Sequence, residues 1–156
     1  MTGKHKIIVK NNRLYYELEI EEKITIIRGD SATGKTTLID MIWQARHYED
    51  SSGIELISEV PCKVLYRDNW KWSVEEAADT IFFIDDGNVF VTTEEFADAV
   101  KRSDSYFVIV IRENLYHLPY STDEIYGLRC SGRYRDTKRM YQQMYRLGPS
   151  ELRIAL

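Results

Sequence analysis

One stretch constrains the rest of the chain: Ile24-Thr25-Ile26-Ile27-Arg28-Gly29-Asp30-Ser31-Ala32-Thr33-Gly34-Lys35-Thr36-Thr37-Leu38-Ile39-Asp40-Met41-Ile42. A β-branched run enters a loop with glycine at both ends, and lysine, two threonines and an apolar helical pattern follow. Gly29 to Thr36 fits G-x-x-x-x-G-K-[ST], with a strand expected before it and a helix after it. Gly29 and Gly34 take backbone conformations closed to residues with a Cβ. Successive backbone N–H groups then point inward and cradle phosphate oxygens. The helix N-terminus adds unpaired N–H groups and its positive dipole end. The pattern assigns Gly29, Asp30, Ser31, Ala32, Thr33, Gly34, Lys35, Thr36 and Thr37 to nucleotide binding. Lys35 is expected at the β- and γ-phosphates, the Thr36 hydroxyl on Mg²⁺ and Thr37 near the α-phosphate.

At 156 residues the chain reads as a single domain over 1–156 with a sizeable core. Its formal net charge of −4 does not advertise nucleic acid, but the charge is unevenly spread. Residues 1–128 carry 14 Lys and Arg against 23 Asp and Glu, whereas 129–156 carry 7 against 2. A basic end on an acidic body suggests a contact surface or a tail packed on that body. Cys62 and Cys130 stand in no metal-ligand spacing, which suits two reduced thiols of a cytoplasmic protein. His5, His47 and His117 form no recognisable pair. The N-terminus is polar and then strand-like, with no leader pattern. No apolar run approaches the ~20 residues needed to span a bilayer.

Strands are expected over His5–Lys10 and Arg13–Ile20, then Lys23–Arg28 into the glycine loop, so a small antiparallel meander precedes that loop. Leu14, Tyr16, Leu18 and Ile20 alternate with Tyr15, Glu17 and Glu19. Lys35–Tyr48 reads as a helix burying Leu38, Ile39, Ile42 and Ala45, with Trp43 and His47 on its rim. Short strands over Ile54–Ile57 and Lys63–Tyr66 flank Pro61. A helix over Trp70–Asp79 is expected to be capped by Ser73, with Glu76 completing a capping box. Thr93 caps a helix running to Lys101, and Ser105–Ile111 is a buried strand. A last strand is expected over Ile125–Arg129. The spacing of Met140, Tyr141, Met144 and Tyr145 then predicts a helix over Asp136–Leu147, stopped by Gly148-Pro149.

A second informative stretch is Thr80-Ile81-Phe82-Phe83-Ile84-Asp85-Asp86-Gly87. Four consecutive apolar residues read as a buried parallel strand, and two carboxylates arrive together at its C-terminal end. Asp85 is expected to hold Mg²⁺ and Asp86 to lie nearer an attacking water. At the end of the next strand, Arg112, Glu113 and Asn114 are candidates for contact with a γ-phosphate or that water, Arg112 as an arginine finger. Arg133, Arg135, Lys138 and Arg139 form a basic run for a partner, a nucleic-acid backbone or a neighbour's nucleotide.

On these residues the chain resembles the P-loop NTPase superfamily. Gly29–Thr36 stands as its Walker A pattern and Ile81–Asp86 as its Walker B pattern. The opening is most similar to ABC-type and AAA-family ATPases. The resemblance implies an α/β fold, mainly a parallel sheet with helices on both faces, behind the small antiparallel meander. It also implies an extra strand between the two motif strands. No Leu-Ser-Gly-Gly-Gln-like signature precedes Ile81, and Asp86 stands where ABC enzymes carry glutamate. The expectation is an ATP- and Mg²⁺-binding protein, a slow ATPase working through self-association or a protein partner, with Lys35, Asp86 and Arg112 as its catalytic set. A nucleotide-dependent switch and a small-molecule kinase are the alternatives.

Overall fold

The computed structural model describes residues 1–28, 35–111, 118–120, 124–133 and 140–147, the side chains of 129–133 and 140–141 excepted. These residues form nine strands and three α-helices. In chain order they are β1 (His5–Lys10), β2 (Leu14–Ile20), β3 (Ile24–Ile27), α1 (Lys35–Tyr48), β4 (Glu55–Ser58), β5 (Cys62–Leu65), α2 (Trp70–Glu76), β6 (Ile81–Ile84), α3 (Glu94–Arg102), β7 (Tyr106–Val110), β8 (Ile125–Arg133) and β9 (Met140–Arg146).

The β1–β2 hairpin follows from its turn chemistry. The Asn11 side-chain oxygen accepts the N–H groups of Arg13 and Leu14, each at 2.8 Å, and sets Lys10 opposite Tyr15. With the register fixed, alternation buries Tyr16, Leu18 and Ile20 and leaves Glu17 and Glu19 on the other face.

All nine strands belong to one sheet, in the order β4-β1-β2-β9-β8-β3-β7-β6-β5. The pairs β1–β2, β1–β4 and β8–β9 are antiparallel. The pairs β2–β9, β8–β3, β3–β7, β7–β6 and β6–β5 are parallel. The two edge strands, β4 and β5, are joined only by Glu59-Val60-Pro61, and α1 touches both. The sheet therefore curls around α1 until it is nearly a barrel. Pro61 has no N–H to give to a ladder, which suits a seam where two edges meet unpaired. Beside it, burial pushes the Cys62 thiol above its ordinary value, and the Ser58 hydroxyl and the Arg46 charge only partly oppose this.

This architecture corrects the expected fold class. The α/β arrangement expected was a mainly parallel sheet lying between helices on both faces, with a separate meander before it. Instead the meander strands are one half of a single mixed, nearly closed sheet. The joining piece is β9, which pairs in parallel with β2 on one side and antiparallel with β8 on the other. It occupies the stretch expected to be a helix over Asp136–Leu147. That segment was expected as the core of a basic helical end, yet Met140–Arg146 is extended.

Two cores result. Inside the curl, Leu38, Ile39, Met41 and Ile42 of α1 meet Val9, Tyr16, Ile27, Phe83 and Val108. On the outside, α2, α3 and a 3₁₀ turn at Val89–Thr92 cover Phe82, Ile84, Phe107 and Ile109 with Trp70, Phe90, Phe96 and Val100. The α3 start agrees with its sequence signal: Thr93 Oγ1 accepts the Phe96 N–H at 3.1 Å. Thr93→Ala should cost about 1 kcal/mol, read as a lower urea midpoint at unchanged slope. The α2 cap and end do not agree. The helix begins at Trp70 as expected, but its N-cap is Asn69 and Ser73 falls inside it, while Trp70 stacks on Phe90 at 5.3 Å.

Burial pushes the Tyr16 hydroxyl up to about 12 from its ordinary 10.0. The unfolded chain loses this proton near the ordinary value and the folded chain near the raised one. Between them the unfolded state binds fewer protons, so stability falls as pH rises, by up to about 3 kcal/mol. No such loss arises below the ordinary value. Tyr16→Phe should flatten this alkaline decline in urea melts.

Candidate functional site

The parallel strands β5, β6, β7 and β3 end at one edge of the sheet. The end of β3 and the turn after β6 both lie there. Strand β7 sits between β3 and β6, so these two strand ends are about 10 Å apart.

Of the residues assigned to nucleotide binding, Gly29, Asp30, Ser31, Ala32, Thr33 and Gly34 lie outside the described residues, as does Arg112. So do Arg135, Lys138 and Arg139, while Arg133 is described only as backbone in β8. The residues flanking the loop are described. Arg28 leaves β3 with only 2% exposure, and its N–H donates to the Tyr126 carbonyl at 2.7 Å. Lys35 opens α1 and is 4% exposed, whereas Thr36 and Thr37 are exposed. A buried lysine at a helix start next to two exposed threonines suits an anion and its counter-cation.

Asp85 follows β6 and is half-buried; Asp86 is exposed. Their turn is locked by short local bonds. Asp85 Oδ1 accepts the Asp86 N–H at 2.8 Å, Asp86 Oδ1 accepts the Gly87 N–H at 3.0 Å, and the Asn88 side-chain amide donates to the Asp85 carbonyl at 2.9 Å. Gly87 takes the left-handed conformation at φ 89° that closes the turn. Burial holds the Asp85 carboxyl above its ordinary range. The Asp86 N–H opposes that shift, the charges of Asp40 and Asp86 add to it, and Lys35 works against it. The fold thus brings Lys35 and Asp85, 50 positions apart in the chain, into one electrostatic neighbourhood.

Sequence reasoning missed Asp40. It lies four residues after Thr36 on α1, so the two share a helix face. That spacing was the available signal. Among the described residues no three His, Cys, Asp or Glu side chains stand close enough to cage a metal alone. A Mg²⁺ ion held by one or two protein oxygens and by phosphate oxygens needs no such cage. Asp85 and the Thr36 hydroxyl are hard oxygen donors of that kind.

A cavity of about 470 Å³ lies beside β2 and β9, beyond the Glu17–Gln143 pairing. Its carboxylates are matched by exposed cations: Glu17 by Lys6 at 3.1 Å, Glu19 by Lys4 at 3.7 Å and Glu21 by Arg146 at 3.6 Å. Arg146 also binds the buried Glu124 at 3.2 Å and donates to the Tyr126 hydroxyl at 3.2 Å. These contacts tie β8 and β9 to the end of β2, and they account for the cavity's charges without a ligand.

No protein-family model matches the chain, and no curated protein matches it in sequence. With the mixed, nearly closed sheet, this corrects the resemblance to the P-loop NTPase superfamily. The Walker A, Walker B and P-loop ATPase family labels that came with it do not apply to this fold. A short loop pattern constrains its own neighbourhood, whereas family membership is a statement about the whole sheet. Among the described residues, no helix is long and apolar enough to cross a membrane.

Proposed function

We propose that this chain binds ATP with Mg²⁺ at the edge where β3 ends and the β6 turn lies, next to the start of α1, and hydrolyses it slowly, acting through self-association or a protein partner. The observation that supports the reading is that the charge of the buried Lys35 at the start of α1 reaches the half-buried Asp85 at the end of β6. Lys35 neutralises phosphate charge in a site already shielded from water, where such a contact counts for more. Thr36 and Asp85 hold the cation. When bound, Mg²⁺ draws electron density from the phosphate oxygens and offsets developing charge. Asp86, exposed beside Asp85, orients a water or accepts its proton.

A second reading is binding without turnover. It is favoured by the engagement of Asp86 Oδ1 with the Gly87 N–H at 3.0 Å, which spends one of its oxygens on the turn. Titration calorimetry with ATP, GTP and ADP, with and without Mg²⁺, tests both readings when phosphate release is followed on the same samples. Mg²⁺-dependent ATP binding with slow release that accelerates at high protein concentration is the expected result. Binding with no release favours the second reading. Failure of the folded chain to bind any nucleotide rejects both.

A further inference from the structure

We propose that Asp40 makes the candidate site select nucleotide in its metal-bound form, by repelling free ATP and attracting the Mg²⁺ that accompanies it. This rests on the reading above and adds to it the residue that sets the metal requirement. The cluster is assembled by α1 and β6. Strand β6 alternates: Phe82 and Ile84 enter the outer core, while Ile81 and Phe83 enter the inner one with Leu38, Ile39, Met41 and Ile42 of α1. Asp85 follows in step with Phe83, on the side of the sheet that α1 covers. On α1, Thr36 and Asp40 are both exposed and stand four positions apart, so they share the face that the packed residues leave free.

The charges converge on Asp85. Burial is the main reason its carboxyl stands above its ordinary range, and of the charges acting on it Asp40 is felt more strongly than the adjoining Asp86, with Lys35 opposing both. Three carboxylates thus meet one lysine there. The wider edge does not reverse the sign. Arg28, buried at the end of β3, adds one cation, and the exposed Arg67 and Asp68 after β5 cancel each other. Among the described residues this edge is therefore acidic, although the reading above brings a polyanion to it. Free ATP meets repulsion from Asp40 and Asp85, whereas Mg²⁺ offsets part of the phosphate charge and is itself attracted by both. Bound Mg²⁺ keeps several of its waters, so a carboxylate set back from its ligands attracts it without replacing one. Metal and nucleotide then assist each other's binding by one common factor, and Asp40 raises that factor.

Titration calorimetry of the whole chain with ATP, in Mg²⁺ and in EDTA, gives the ratio of the two affinities. Asp40→Asn should lower that ratio about tenfold, mainly by tightening the binding of free ATP, and Asp40→Glu should keep most of it. Asp98→Asn, which removes an exposed acid on α3, should leave it unchanged. Urea midpoints of all three variants should match the wild type, because both positions are exposed. Three results overturn the role of Asp40 while ATP still binds with Mg²⁺: an unchanged ratio in Asp40→Asn, an equal drop in Asp98→Asn, or an equal weakening of both forms in Asp40→Asn, the mark of a merely structural residue. No ATP binding by the folded wild type in Mg²⁺ instead rejects the reading on which the role rests, and the role with it.

Discussion

Lys35→Ala should weaken ATP–Mg²⁺ binding at least about a hundredfold, or about 3 kcal/mol, while the chain stays folded. Lys35 is 4% exposed and opens α1 beside the loop that follows β3. A cation in that position meets phosphate with little competing water, and its removal leaves the incoming charge beside Asp85 and Asp40 without compensation. The fold should survive, because the interior of the curl is carried by Leu38, Ile39 and Ile42 further along the helix. Lys35→Met keeps the stem and separates packing from charge. Both variants should melt as cooperatively as the wild type and both should lose nucleotide. Calorimetry decides the point: unchanged affinity in either folded variant places the phosphates elsewhere and removes Lys35 from the site.

Local chemistry was legible where a single residue or a short pattern dictates geometry. Thr93 announced the third helix, and the alternation from Leu14 to Ile20 the buried face of β2. The edge where the candidate site lies could also be anticipated, because four apolar residues ending in Asp85-Asp86 read as a buried parallel strand. What failed was long-range pairing. Strand β9 lies between β2 and β8, and Gln142, Gln143, Met144 and Tyr145 are all half-buried, on both faces of the sheet. A strand covered on both sides has no reason to alternate, so Met140, Tyr141, Met144 and Tyr145 took on the look of a helical stripe. That one misplaced element hid the link between the meander and the parallel strands, and with it the closure of the sheet. Asp40 was hidden differently. Its spacing of four from Thr36 was the one mark on it, and a lone carboxylate on an exposed helix position gains its meaning only where the fold sets its charge near Asp85.

Phe96→Ala should destabilise the chain by about 3–5 kcal/mol, a large share of the stability of an ordinary domain. Phe96 is fully buried in the first turn of α3, where edge-on rings surround it: Trp70 at 5.5 Å, Phe90 at 5.4 Å and Phe107 at 6.0 Å. It is therefore the meeting point of α2, the Val89–Thr92 turn, α3 and β7. These elements are fixed by their own backbone bonds, so they close only partly over a missing ring, and the cavity adds to the lost transfer energy. Phe96→Leu keeps most of the volume and should cost far less, about 1 kcal/mol. Urea melts give the comparison directly, and equal losses in the two variants would mean that ring packing at this point is not what holds the outer core. The loss should reach the candidate site as well. The Asp85–Asn88 turn is suspended between β6, whose Phe82 packs on Phe107 at 5.4 Å, and Phe90, which packs on Phe96. Loosening Phe96 frees one end of that suspension. Nucleotide affinity in Phe96→Ala should then fall even at temperatures where the variant is still folded, whereas Phe96→Leu keeps it.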